Sequence, residues 1–438
     1  MRLTVPGRPR AWSGLLTWRV LGVGISMVIS AVVALGLLDV TGALRPAAGP
    51  TALPWAQTDG DAALSRANPL ESTLTPHTVA SASVWKLLAA PTDASGCPGS
   101  PGIASPAFTS GRLFAIENGQ VAMYKAQTGA LAWRAEPNPA GAVDLSSMAV
   151  GEGLVIVAGR ECQSAPAAEG VMGAFSTSTG KPVWAIGPGV ASCASSSCRA
   201  LGPVTEMVES KPFLVEAGPA EGGGQVISVY RVFTGKLLWT QHNDCAGDQP
   251  FAVVQSVVVV SACGQDPRAM SLEGISLISG SRAWTRPGSW RVIRGSDDGA
   301  DAHVYARNDQ DAGDPISDVD ATTGATRFEL RGATNVLAVD DRTVYAECGA
   351  SVVCGYLEAT GVSEWQTTDS STLASAADGV LYLADGKVLD ASSGHILTRL
   401  WHFTTTGLAI GDGEIAVVRA PNVDPESATL DVYALPDS

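Results

Sequence analysis

One short pattern recurs along most of this 438-residue chain: an apolar strand, then Thr-Gly or Ser-Gly, then a Trp four residues after the Gly. Full copies stand at Gly129/Trp133, Gly180/Trp184, Gly235/Trp239, Gly280/Trp284 and Gly361/Trp365. Two degenerate copies carry Gly324 with Phe328, and Gly394 with Thr398, in the same places. Five residues before each Gly the side chain is apolar: Tyr124, Phe175, Tyr230, Ile275, Val319, Tyr356 and Leu389. The Gly supplies the positive φ of a tight hairpin, and the preceding Thr or Ser suits a turn. The Trp then falls on an outer strand, where it can pack between neighbouring units. Successive Gly positions lie 33 to 55 residues apart. That spacing fits propeller blades of four short strands, A to D, rather than a solenoid of 20–30-residue turns.

The chain ends complete the count. The C-terminal TLDVYALPDS reads as a strand C with Tyr433 in the apolar slot, and no strand D follows it. SASVWKLLA, near residue 85, reads as an orphan strand D with Trp85 in the Trp position. Joining them closes a ring and removes its exposed edges. The expected fold is therefore an all-β, eight-bladed propeller of four-stranded antiparallel blades. With 16% charged residues, 48 Gly and 26 Pro, a helical bundle or coiled coil is excluded. A net charge of −15 argues against nucleic acid as a partner.

The Thr-Gly-x3-Trp repeat resembles the pyrroloquinoline-quinone-type (PQQ-like) β-propeller family over about residues 81–438. Eight blades is the count in its quinoprotein alcohol dehydrogenases, and also in a non-enzymatic relative, the propeller lipoprotein of outer-membrane assembly. The resemblance implies the fold and leaves the activity open. A dehydrogenase would use the quinone, a calcium ion, an acidic base and, in many members, a disulfide between adjacent cysteines. It should present converging carboxylate and amide ligands over an aromatic floor at the mouth of the central channel. No adjacent cysteines, haem-attachment CxxCH or matching calcium motif occurs here, so no catalytic or cofactor-binding residue is assigned. The chain reads as a non-enzymatic member.

Residues 20–38 form an uncharged apolar run of transmembrane length, preceded by Arg2, Arg8, Arg10 and Arg19. The expected layout is a cytoplasmic basic segment at 1–19, a transmembrane helix at 20–38, an Ala/Pro/Ser-rich linker at 39–80 and an extracytoplasmic propeller at 81–438. A cleaved signal peptide with its site near Thr41-Gly42-Ala43 is the alternative. Usage of 22 Arg against 6 Lys points to a bacterial source.

Eight cysteines in an exported chain imply disulfides. The repeat suggests Cys97–Cys162, Cys193–Cys198, Cys245–Cys263 and Cys348–Cys354, all in or beside D–A and B–C connections. Those connections share one face, which also carries the longest irregular segments. That stapled face is the expected partner surface, since loops on a rigid scaffold carry function. Other candidates are weaker. Asp309, Asp311 and Asp314 could offer calcium oxygens but lack a closing bidentate acid and read as a solvated loop. His77, His242, His303, His395 and His402 show no ligand or triad spacing and read as loop or surface residues. No zinc motif is present. The function expected is a membrane-anchored binding or assembly scaffold for a protein or cell-envelope partner, with no cofactor. A PQQ- and calcium-dependent dehydrogenase with divergent ligands, and an extracytoplasmic sensor domain, are the alternatives.

Overall fold

The computed structural model describes residues 65–68, 71–89, 97, 103–109, 111–126, 128–137, 142–151, 153–162, 169–187, 206–210, 212–220, 223–245, 249–263, 270–297, 302–310, 315–369, 374–411, 413–419 and 429–436. These residues fall within one compact unit. Among them no helix is long and apolar enough to cross a membrane, and the expected span at 20–38 lies outside them.

Eight antiparallel sheets follow one another along the chain. In the first blade the strands run Ile103–Thr109, Arg112–Glu117, Gln120–Lys125 and Ala130–Ala135 from the axis outward. Six more occupy 143–186, 206–243, 251–287, 290–330, 335–368 and 374–399. The eighth is composite: Thr405–Gly411, Glu414–Arg419 and Thr429–Ala434 receive Ser83–Ala89 from the N-terminal side as their outer strand. This is the expected ring closure.

Burial follows position in the blade. Inner strands such as Phe251–Val254 and Val257–Cys263 are buried along almost their whole length because another blade covers each face. Outer strands such as Ala130–Ala135 are largely exposed. The core is therefore a series of layers between blades, filled by Val, Ala, Ile, Leu, Met and aromatic side chains from two neighbours.

The repeat acts at those seams. In the outer strands of blades 1, 2, 3, 4 and 6 a one-residue bulge precedes the Trp. An extra residue reverses which face the following side chain occupies, and so turns the ring toward the next blade. Each Trp then lies against the turn glycine of that blade. A Cβ on Gly180 would stand 2.7 Å from the Trp133 ring, and one on Gly324 2.6 Å from the Trp284 ring. The same glycines have φ of +67° and +75°, so their lack of a side chain serves both the turn and the stacking. The indole N–H completes the contact. Trp133, Trp184, Trp239, Trp284 and Trp365 donate to the carbonyls of Thr177, Val232, Leu277, Ala321 and Ala391, each three residues before the next turn glycine.

Two expectations change. In the composite blade Val84 pairs with Tyr433 and Lys86 with Val432, so Trp85 falls on the bulge and Lys86 takes the register position of the Trp. No C–D hairpin enters this strand, so no turn fixes its register. The packed chain also begins before residue 81. Ala67–Asn68 adds as a parallel fifth strand to the inner strand of blade 7, Ala374–Ala377. The Asn68 amide donates to the Ile410 carbonyl, and Glu71 accepts N–H groups from Thr73 and Gly413. Leu74 and Val79 are fully buried. The end of the expected linker is thus a strap. It is held by apolar anchors that its Ala/Pro/Ser-rich surroundings hide.

Candidate functional site

Three places could carry function: the stapled face, the axial end crossed by the strap, and one atypical seam. At the stapled face, disulfides join Cys97 to Cys162, Cys245 to Cys263 and Cys348 to Cys354. Cys97 and Cys245 lie in D–A connections, while Cys162, Cys263 and Cys348–Cys354 end or flank B–C hairpins. All three bonds therefore sit on one face. Cys193 and Cys198 lie outside the described residues. The opposite face carries two-residue A–B turns such as Asp378-Gly379, and the strap runs over it, with Pro76 above Gly379 and Thr73 beside Gly413.

The atypical seam joins blades 5 and 6. Here Phe328 replaces the Trp, so its ring still lies against Gly361 but offers no N–H. Position −3 from that glycine, occupied at the other seams by Thr or an aliphatic residue, is Glu358. The bulged residue of the outer strand is Arg327. Facing them are His303 on strand B (Ala302–Asn308) and Asp318 on strand C (Ile316–Asp320) of blade 5. His303 Nδ1 lies 3.2 Å from Asp318 Oδ1, and Nε2 lies 3.3 Å from Glu358 Oε1. The His303 and Asp318 side chains are 1% and 0% exposed, and that of Glu358 is 9%. Arg327 Nη1 contacts both ring nitrogens of His303 and stands 3.6 Å from Asp318 Oδ2 and 3.9 Å from Glu358 Oε1. Burial pulls the imidazole pKa down. The hydrogen bond and charge of Asp318, helped by Glu358, outweigh both burial and Arg327 repulsion, and the net shift is upward. Thr326 and Phe328 on one side, with Tyr356, Thr360 and Gly361 on the other, line a groove of about 660 Å³ along this seam.

His303 therefore departs from its expected place on a loop or the surface. It is a buried strand residue, because the antiparallel pleat turns it into the layer between blades. His77, His242, His395 and His402 are exposed. Asp309 is bound to Arg307 at 3.0 Å, and Asp311 and Asp314 lie outside the described residues. Sequence spacing missed the seam cluster because its members are 15 and 40 residues apart along the chain. A signal was present, since Phe328 breaks the Trp series in the blade just before the one with an acid at position −3.

A family model described as outer membrane protein assembly factor BamB matches residues 77–215. Among solved structures, the quinohemoprotein alcohol dehydrogenase of Comamonas testosteroni is 12% identical, with a TM-score of 0.56 over 91% of this chain and 83% of its own. A europium-containing methanol dehydrogenase is 12% identical, with a TM-score of 0.58 over 88% of this chain and 99% of its own. BamB from Moraxella catarrhalis is 14% identical, with a TM-score of 0.51 over 81% and 99%. No curated protein matches the sequence. The chain folds as an eight-bladed propeller similar to these structures.

Does this propeller offer a quinone and calcium site? Two polar side chains of its inner strands are engaged with nearby backbone. Arg294 donates to the Val336 carbonyl of the next blade, and Thr405 Oγ1 to the Val418 carbonyl of its own. Among the described residues, the one set of three or more imidazole, thiolate or carboxylate donors within reach of a common ion is the blade 5–6 seam. It lies on strands B and C of blade 5 and the C–D turn of blade 6, and not on the innermost strands that line the axis. The fold itself is compatible with an assembly scaffold and with a quinone-dependent dehydrogenase alike.

Proposed function

We propose that this propeller is a membrane-anchored, extracytoplasmic scaffold whose stapled face binds a protein or cell-envelope partner. The observation that carries the reading is the asymmetry of the two faces: all three disulfides restrain one of them, and the strap and tight turns occupy the other. Restrained loops lose less conformational entropy on binding, so a stapled face suits recognition. The likeness to BamB, whose printed description is an assembly factor, supports the same reading. The strap enters the composite blade from the short-turn face, which favours presenting the stapled face away from an N-terminal anchor.

Photo-crosslinking in intact cells tests this. A crosslinker at Ala350, inside the Cys348–Cys354 hairpin, should trap an envelope partner, while one at Arg342 on the opposite face should not. Equal trapping from both positions would defeat the face assignment. Titration of the full chain with pyrroloquinoline quinone and calcium tests the alternative. Saturable, calcium-dependent quenching of Trp fluorescence would replace the scaffold with a dehydrogenase.

A further inference from the structure

We propose that the seam between blades 5 and 6 is a binding site for a divalent first-row metal ion, held by His303, Asp318 and Glu358. Three kinds of observation converge. The first is the donor set: one imidazole and two carboxylates, all buried, with their ligand atoms within 4.8 Å of one another. Donors bound at about 2.0–2.2 Å to one small cation stand about 3–4.4 Å apart, so modest closure brings all three into range. The 3.2 Å and 3.3 Å separations belong to different ring nitrogens, Nδ1 and Nε2, so an ion taken by one nitrogen draws the opposite carboxylate in around the ring edge. Mixed nitrogen and oxygen ligation favours zinc-like or manganese-like ions over calcium, which takes six to eight oxygens.

The second is the cation now at the focus. Arg327 Nη1 lies among the three donors, yet at 3.6 Å and 3.9 Å it is beyond hydrogen-bond length from Asp318 Oδ2 and Glu358 Oε1. It balances charge beside the cluster through ion pairs at those distances. A dication of smaller radius would neutralise both acids and bond to them directly. The third is a way out for Arg327. Its side chain is 29% exposed, and its flanking residues Thr326 and Phe328 line the groove. Displaced by an ion, the guanidinium can move to water with its charge solvated.

The rival account is a purely ionic tie. In it the four charged groups replace the indole hydrogen bond that this seam lacks, and Arg327 is a structural member instead of an occupant to be displaced. The two accounts predict opposite effects of Arg327→Gln. Full-length chain, stripped with chelator, would be titrated with Zn²⁺ by calorimetry, and with Co²⁺ for its visible absorption. The site predicts one equivalent bound, d–d bands of a nitrogen- and oxygen-ligated ion, and at least ~10-fold tighter binding in Arg327→Gln. It also predicts at least ~100-fold weaker binding in His303→Ala and Glu358→Gln. Should His303→Ala fail to fold, Arg327→Gln decides alone, because it alters a partly exposed side chain. Absence of stoichiometric binding in both wild type and a folded Arg327→Gln would overturn the site. So would binding that survives His303→Ala.

Discussion

Glu216 shows how much a single carboxyl can govern in a core built from layers. It lies on strand B of blade 3 (Phe213–Pro219), opposite Met207 and Ser228, and is 3% exposed. Burial dominates its titration, a hydrogen bond to Ser228 opposes it weakly, and the carboxyl is pushed up to about 8. In the unfolded chain the same group titrates near 4.5. Between those values the folded state binds more protons than the unfolded state, so stability falls as pH rises. The contribution is full below pH 4.5 and lost as pH passes through about 8. Within that window the slope from this group approaches ~1.4 kcal/mol per pH unit. Glu216→Gln, which cannot ionise, should match wild type near pH 5 and be the more stable protein at pH 8. Urea unfolding at pH 5, 6.5 and 8 measures this; parallel profiles for the two proteins would refute it.

At the scale of the element, the seam hairpin joins a turn to an interblade contact, and its parts can be separated by substitution. Trp284→Phe keeps a ring over Gly324 and removes the 2.8 Å bond to the Ala321 carbonyl. Its cost should be about 1 kcal/mol, more if the carbonyl stays dry. Gly324→Ala should cost more, about 2–3 kcal/mol, because it meets a φ of +75° and a ring 2.6 Å away together. Denaturation midpoints of the two variants give the order, and a Trp284→Phe loss exceeding that of Gly324→Ala would contradict it. The hairpin was legible in the sequence because its three requirements, an apolar slot, a positive-φ glycine and a ring donor, each restrict the residue type. The eight-blade count followed from it, ring closure included. Trp85 misled by one position because its strand arrives without the hairpin that fixes the others. The strap was hidden because two buried side chains, Leu74 and Val79, leave no period to detect. The His303 cluster was hidden for a different reason: His303 meets Asp318 only across paired strands of blade 5, and Glu358 joins them only when blade 6 packs on it.

For the whole molecule, the strength of ring closure decides how the propeller comes apart. The last blade is closed by Ser83–Ala89 against Thr429–Ala434, and the strap ties blades 7 and 8 together at the axis. Cys97–Cys162 braces the same region, since it links the connection leaving the composite blade to the B–C hairpin of blade 2. Its loop spans 65 residues, against 18 for Cys245–Cys263 and 6 for Cys348–Cys354. Loop-closure entropy in the unfolded chain then assigns them about 4, 3 and 2 kcal/mol. Replacing each pair by serines should lower stability in that order. For Cys97–Cys162 the loss should be accompanied by earlier proteolysis within 83–102, as the outer strand of the composite blade detaches. Thermal unfolding with limited proteolysis reads both effects. If loss of Cys348–Cys354 cost the most, the hairpin would matter through native-state contacts at the stapled face. Closure of the ring would then rest on the strand pairing and the strap.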